Sequence, residues 1–383
     1  MDVRDALRSP SKSTMFAGLL AVGVLLRLFV PSIASGYGLV ILAGLAIIAT
    51  LSMHGSRDAL IGGALALALL VPLYTPGLLP IADATLMLAL ALPAMGQFVV
   101  TGVAGQMTLA QGALVGIGAY AFSIAQVRGV PWGVALLLSV TAATLVGTLL
   151  ALAALRLNEL YLAMVTLALV VALPPVLTVA PISDYTNGSQ GIVLNSLRLP
   201  ITRGLDYSGS LYLLVLAFLL AAVAATRNIV ESRHGLAMKA LALSRVPARI
   251  SGVSLLRYRL YSFAIAAALA GLGGGLYAVI LGVVAPESFD LLFSLSFWVM
   301  IVLGGRRRLL GAIIGAALVW WLDVNLTGVN VNISIVHLAI LPGAVFGLAI
   351  ILVSLFLPDG ITGLPSYIAR RVRASRLAPS NRS

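Results

Sequence analysis

The chain's 383 residues are 61% apolar and 9% charged, with 24 Lys and Arg against 12 Asp and Glu for a net charge of +12. A soluble domain carries roughly 25% charged residues, so this composition, at a mean hydropathy of +1.09, excludes a soluble protein and requires a polytopic membrane protein. The apolar stretches run on without period-two alternation, which excludes an outer-membrane barrel, and the absence of cysteine excludes disulfides, thiolate metal sites and cysteine nucleophiles.

A helix needs about 20 apolar residues to cross the hydrocarbon core, fewer where it is broken or shielded by protein. In chain order the candidate spans are Met15 to Val30, Tyr37 to Met53, Ala59 to Leu73, Ile81 to Val100, Gly105 to Gln126 and Trp132 to Leu155. Leu160 to Ala180, Ser210 to Ala225, Tyr258 to Leu281, Leu291 to Leu303, Leu309 to Leu326 and Ile335 to Leu357 follow. The short run from Leu291 reads as a half-helix, and only TGVAG parts the fourth run from the fifth, so the fold expected is all-α with about 10–12 transmembrane helices. A basic leader and Ser32-Ile33-Ala34 around the first run imitate a cleaved signal peptide; because another span starts at Tyr37, retention is expected.

Lys and Arg accumulate in cytoplasmic loops. With both termini inside, all of the 24 fall on the cytoplasmic side except Arg128, Arg198 and Arg203 outside and Arg27 near the end of the first span. The basic balance therefore reads as topology plus attraction to anionic lipid of the inner leaflet, with no nucleic acid among the partners. Sequons at Asn187, Asn325 and Asn332 lie in predicted outer loops of a composition that generates such triplets by chance. The chain divides into an N-terminal leader with its first spans (1–80), a core (81–364) and a basic tail (365–383) expected to be disordered.

Two polar segments are long. Pro181 to Gly209, outside, carries TNGSQG with Asn187, Gly188 and Gly191, which reads either as a flexible connection or as an ordered cap. Thr226 to Arg257, inside, interleaves Leu236, Leu241, Leu243, Val246 and Ile250 with Lys239, Arg245 and Arg249 between Gly235 and Gly252. That pattern predicts an amphipathic helix interrupted at Pro247, either lying on anionic lipid or docking a soluble partner.

Within the spans the polar content is uncharged and local. Gly102 to Tyr120 sets Gln106, Thr108 and Gln111 among glycines, where they either line a polar path or only bond neighbouring helices. GLGGG (Gly271 to Gly275) reads as a small-residue packing face. Every carboxylate lies in a loop or at a segment end, Asp83, Glu159 and Asp323 closest to the spans, so no proton relay is predicted. His54, His234 and His337 stand far apart with no ligand spacing, and no metal site is expected. There is no GxxxxGK[ST] cradle, acidic pair or Ser/His constellation, so enzyme chemistry is disfavoured and uphill transport would draw its energy from another chain.

Seven segments together resemble a known family: GQMTLAQGALVGIGAY (Gly105 to Tyr120), RLNELYLAMVTLAL (Arg156 to Leu169), TNGSQGI (Thr186 to Ile192), the inner stretch Gly235 to Ala278, VVAPESF (Val283 to Phe289), VLGG (Val302 to Gly305) and LFLPDGITGL (Leu355 to Leu364). In that order, and over roughly Ile81 to Leu364, they resemble the branched-chain amino-acid-type permease subunits of bacterial ABC importers. The resemblance implies a type II importer-like permease in the bacterial inner membrane, passing amino acids of branched-chain type or related small amides. It implies two cytoplasmic ABC ATPases, a second homologous permease subunit and an extracytoplasmic substrate-binding protein as partners. It implies no cofactor on this chain, with ATP and magnesium bound by the ATPases, and no enzyme activity of its own.

By the same resemblance Gly105, Gln106, Thr108 and Gln111 match a GQ-S/T-L run expected along the translocation path. Gly235, Ala237, Ala240 and Gly252 match the small-residue pattern of a segment that couples to the ATPases, together with Lys239, Arg245 and Arg249. The chain departs from the family at Leu243 and Arg245, where acidic residues are common, at Pro247, where Ala is common, and at Arg306 to Arg308, which replace a glycine-rich turn. A reversed charge on a docking helix calls for a co-adapted partner. The rival reading is an uncoupled channel or facilitator for small polar solutes.

Overall fold

The computed structural model describes residues 81–153, 159–194, 207–306, 308–326, 330–333 and 336–339. The first three candidate spans, most of the last one and the basic tail lie outside the described residues.

Helix α1 (Ile81–Gln97) passes directly into a π-helical turn, Phe98–Val103, and an extended stretch then leads to α2 (Gln111–Val127). Next come α3 (Trp132–Ala153), α4 (Glu159–Thr178), the single turn α5 (Ser183–Thr186) and strand β1 (Ile192–Val193). Helix α6 (Tyr207–Glu231) leads to α7 (Arg233–Leu243), α8 (Arg245–Ile250) and α9 (Leu255–Leu281). Strand β2 (Val283–Val284), α10 (Leu291–Gly304), α11 (Leu309–Leu326), β3 (Asn330–Ile333) and β4 (Val336–Ala339) complete the order.

Among the described residues six helical segments are long and apolar enough to cross a membrane: Ile81–Val103, Trp132–Leu152, Tyr161–Thr178, Tyr207–Glu231, Leu255–Leu281 and Pro286–Gly304. The chain is an all-α polytopic membrane protein, and among the described residues strands are confined to two short antiparallel pairs.

Several boundaries differ from the sequence reading. The fifth candidate span does not begin at Gly105; its helix starts at Gln111. Helix α6 runs past its apolar stretch to Glu231, because Arg227 Nε bonds Glu231 Oε1 at 2.9 Å, one turn apart. Helix α9 starts at Leu255, three residues ahead of the apolar run, where Ser254 accepts the Arg257 N–H as an N-cap. The span expected from Ile335 is replaced at its start by β4, paired with β3 in the register Asn332↔His337 and Val331↔Leu338. Alternating Asn and β-branched residues in VNVNI, with only two residues between the strands, favour a hairpin over a helix there.

The described chain divides into two compact units, one holding residues 81–85 and 207–220 and the other the rest. In the first, Leu211, Tyr212, Val215, Leu216 and Leu219 are buried at the spacing of one helix face. In the second, α9 packs along α2 and α3 with its glycines at the contact. A Cβ on Gly118 would lie 2.7 Å from Gly271 Cα, and one on Gly271 would lie 2.6 Å from Ser139 O. The Ser139 hydroxyl lies within hydrogen-bond distance of Gly118 O and Gly271 O, at 2.8 and 2.6 Å. The expected GLGGG packing face is thus present, and it lets three backbones approach closely. Leu137, Leu145 and Leu149 of α3 and Met164 and Val171 of α4 are exposed. That suits lipid, which sets no hydrophobic cost on such a face.

Candidate functional site: a braced helix break and the inner segment beside it

The membrane-spanning helix Ile81–Val103 ends in an irregular backbone. Ala104 N–H bonds Val99 O and Gln106 N–H bonds Val100 O, each at 3.0 Å, so the chain widens into π geometry before it leaves the helix. At Gly105 the backbone turns with φ +65°, a conformation costly for residues with a Cβ. Non-helical backbone at membrane depth persists only where protein satisfies its polar groups, and here uncharged side chains do so.

Gln97 Nε2 donates to Thr108 O at 2.9 Å and Thr101 Oγ1 at 3.1 Å, bridging the two sides of the break. Gln111 Nε2 donates to Pro93 O at 2.8 Å and Ala266 O at 3.2 Å, tying α2 to α1 and α9. Gln106 Nε2 donates to Ser262 Oγ of α9 at 3.2 Å. Thr108 Oγ1 accepts the Ala110 N–H, and Thr166 Oγ1 of α4 accepts the Leu109 N–H. Gln97 and Gln111 are each 1% exposed, and Gln106 and Thr108 are buried. The break therefore gathers Gly105, Gln106, Thr108 and Gln111, as singled out in the sequence, and adds Gln97, which sequence reasoning missed. The available signal was the Gln97/Thr101 pair at i, i+4 in an otherwise apolar run.

The segment from Arg233 to Ile250, expected inside, folds as two helices. Ser232 Oγ accepts the Gly235 N–H at 3.4 Å and caps α7. His234 stacks its ring against Tyr258 and Tyr261 of α9 at 6.1 and 5.3 Å. Gly235, Met238 and Leu241 are buried, Ala237 and Ala240 half-buried, and Lys239 exposed. The interruption falls at Ser244, in extended backbone, and not at Pro247. Pro247 is the third residue of α8, inside the first turn, where its missing N–H would have no intrahelical partner. Arg245 and Arg249 lie on the α8 backbone, and Gly252 turns the chain out of it with φ +81°.

Two features make this segment distinctive. Leu243 is 88% and Ile250 83% exposed, with Val246 between them also exposed, an apolar face that nothing in the described chain covers. On its other side α7 touches the break: a Cβ on Gly105 would lie 2.8 Å from Ala242 Cβ. One residue expected on the path, Gly105, thus meets the segment expected to couple, at Ala242, which the sequence reading did not single out.

The TNGSQG run, expected outside, is an ordered turn. Thr186 Oγ1 donates to Leu177 O at 2.6 Å, and Asn187, at φ +62°, donates from Nδ2 to Gly191 O at 2.9 Å. Gly188 and Gly191 also have positive φ, at +57° and +72°. Strand β1 follows and pairs with β2 just beyond α9, Ile192 opposite Val284. Tyr185 stacks under the Arg128 guanidinium at 4.9 Å. Among the described residues no group of three His, Asp or Glu side chains could hold a metal ion.

Residues 79–355 match the family described as branched-chain amino acid transport system / permease component. This chain belongs to that family. Within it, the chain is 29% identical over 261 residues to the high-affinity branched-chain amino acid transport system permease protein LivM of Salmonella typhimurium, covering 61% of this chain and 60% of that protein. LivM of Escherichia coli K12 gives the same figures. A probable branched-chain amino acid transport permease protein LivH of Methanocaldococcus jannaschii is 26% identical over 166 residues, 41% of this chain and 50% of its own. The match thus spans about three-fifths of the length of the LivM relatives. No solved structure is significantly similar. The break, the α7–α8 segment and the TNGSQG turn all fall inside the residues that match the permease family.

Proposed function

We propose that this permease component forms the translocation path of an ABC importer for branched-chain amino acids or related small amides. The observation that carries the proposal is the Gly105–Ala242 contact, which sets an exposed, unpartnered cytoplasmic-type segment directly against a buried polar break in a span. Two partner ATPases, holding ATP and magnesium, dock on the apolar face of α7 and α8 and move it. The break follows, and the path alternates between inward- and outward-open states. A second homologous permease completes the path, and an extracytoplasmic binding protein delivers solute to the side bearing the TNGSQG turn. Tight capture belongs to that protein, so amides and hydroxyls without fixed charge suffice along the path. The chain sits in the bacterial inner membrane with both termini inside and catalyses no reaction itself.

Affinity purification of the tagged chain from its native membrane in mild detergent tests the assembly. P-loop ATPases and a second permease are expected at fixed stoichiometry. Recovery of this chain alone, from membranes that contain those ATPases, would favour the uncoupled channel.

A further inference from the structure

The glutamines at the break all turn their amide N–H groups to acceptors of the scaffold. Thr108 O and Pro93 O are carbonyl oxygens that only accept, so the groups bonded to them are the Nε2 atoms of Gln97 and Gln111. Ser262 Oγ donates its single proton to Arg259 O at 2.9 Å, so toward Gln106 it presents lone pairs, and the Gln106 group it meets is again Nε2. The scaffold thus consumes amide N–H groups and leaves carbonyl oxygens over. Gln97 Oε1 and Gln106 Oε1 are both buried and have no hydrogen-bond partner among the described residues. They belong to one break, because Gln97 bonds Thr108 across it and the Gln106 N–H bonds Val100. A buried acceptor without a donor is costly and calls for a reason.

We propose that Gln97 Oε1 and Gln106 Oε1 receive the N–H end of the permeating solute, the ammonium group of an amino acid or the N–H of an amide. This rests on the reading of the break as part of the path. The chemistry is polar in direction: two acceptors pass a donor group along and offer nothing to a carboxylate. Uncharged oxygens hold an ammonium loosely enough to release it, as a path must. Gln97 becomes a contact residue of the path beside Gln106, while Gln111, with both N–H groups on Pro93 O and Ala266 O, positions the helices around it.

The chain has five glutamines, Gln97, Gln106, Gln111, Gln126 and Gln190, so labelling the glutamine side-chain carbonyl carbon for NMR gives a readable set of signals. The probes are isoamylamine, which carries the amine without a carboxylate, and isocaproate, which carries the carboxylate without an amine, added to the complete importer in vesicles. Gln97→Met and Gln106→Met assign the two signals. Should these not fold, Gln126→Ser and Gln190→Ser assign the others, and the remaining break signals are read as a group. The expected result is that the amine shifts the Gln97 and Gln106 signals and the acid does not. Equal shifts from the acid, or none from the amine at saturation, would overturn the inference. Leucine uptake in the same vesicles separates the two claims: ATP-driven uptake with unmoved glutamine signals defeats only this inference, whereas absence of ATP-driven uptake defeats the transport reading.

Discussion

Gln111 shows how one side chain holds a membrane-buried irregularity together. Its amide satisfies carbonyls on α1 and α9 at once, and replacing it by leucine leaves both acceptors without that donor. We expect Gln111→Leu to lower stability by roughly 2–4 kcal/mol, read as a fall in the thermal unfolding midpoint of the purified protein. Gln111→Glu is expected to fall at least as far, since an ionised carboxylate cannot donate to Pro93 O or Ala266 O. A midpoint unchanged by either substitution would mean that these bonds contribute little. Gln97 makes a comparable bridge yet escaped the sequence reading, because its one local signal, Thr101 four residues on, marks a shared helix face and not a bridge. Its role exists only through a partner eleven residues on, across the break.

Elements explain what the apolar runs could and could not reveal. The spans were legible because continuous hydrophobicity is what the bilayer demands, and the break was legible at TGVAG because glycine punctuates helices. Helix ends were less so: the Arg227–Glu231 pair and the Ser254 cap extend α6 and α9 into polar sequence that hydropathy assigns to loops. Pro247 misled for a related reason, since a proline stops a helix only where its N–H is needed. The exposed face of α7 and α8 carries a prediction of its own. Leu243→Glu with Ile250→Glu alters residues with little burial to lose, so the chain should accumulate normally in the membrane while co-purifying ATPase falls at least tenfold. Unchanged ATPase recovery would place docking elsewhere. The contact between α7 and the break carries another. A Cβ at Gly105 strains the φ +65° backbone and presses on Ala242 Cβ at 2.8 Å, so Gly105→Ala should lower ATP-driven uptake at least tenfold, and Ala242→Gly in the same chain should restore part of it. Uptake unchanged by Gly105→Ala would show that the break and α7 need not meet.

At the scale of the whole molecule, fold class and family were readable from composition and from motifs in a consistent order, because both depend on residue types. The way those motifs converge was not readable. Gly105 and Ala242 stand far apart in the chain, and only the packed structure makes the break and the α7 segment neighbours. In the proposed mechanism, energy enters through that neighbourhood. The most direct test is leucine uptake into vesicles holding this chain with the proposed second permease, ATPases and binding protein, ATP being supplied on the ATPase side. Accumulation above the outside concentration that requires hydrolysable ATP is the predicted result. Equilibration at the same rate with and without ATP would contradict it and make the protein a passive conduit.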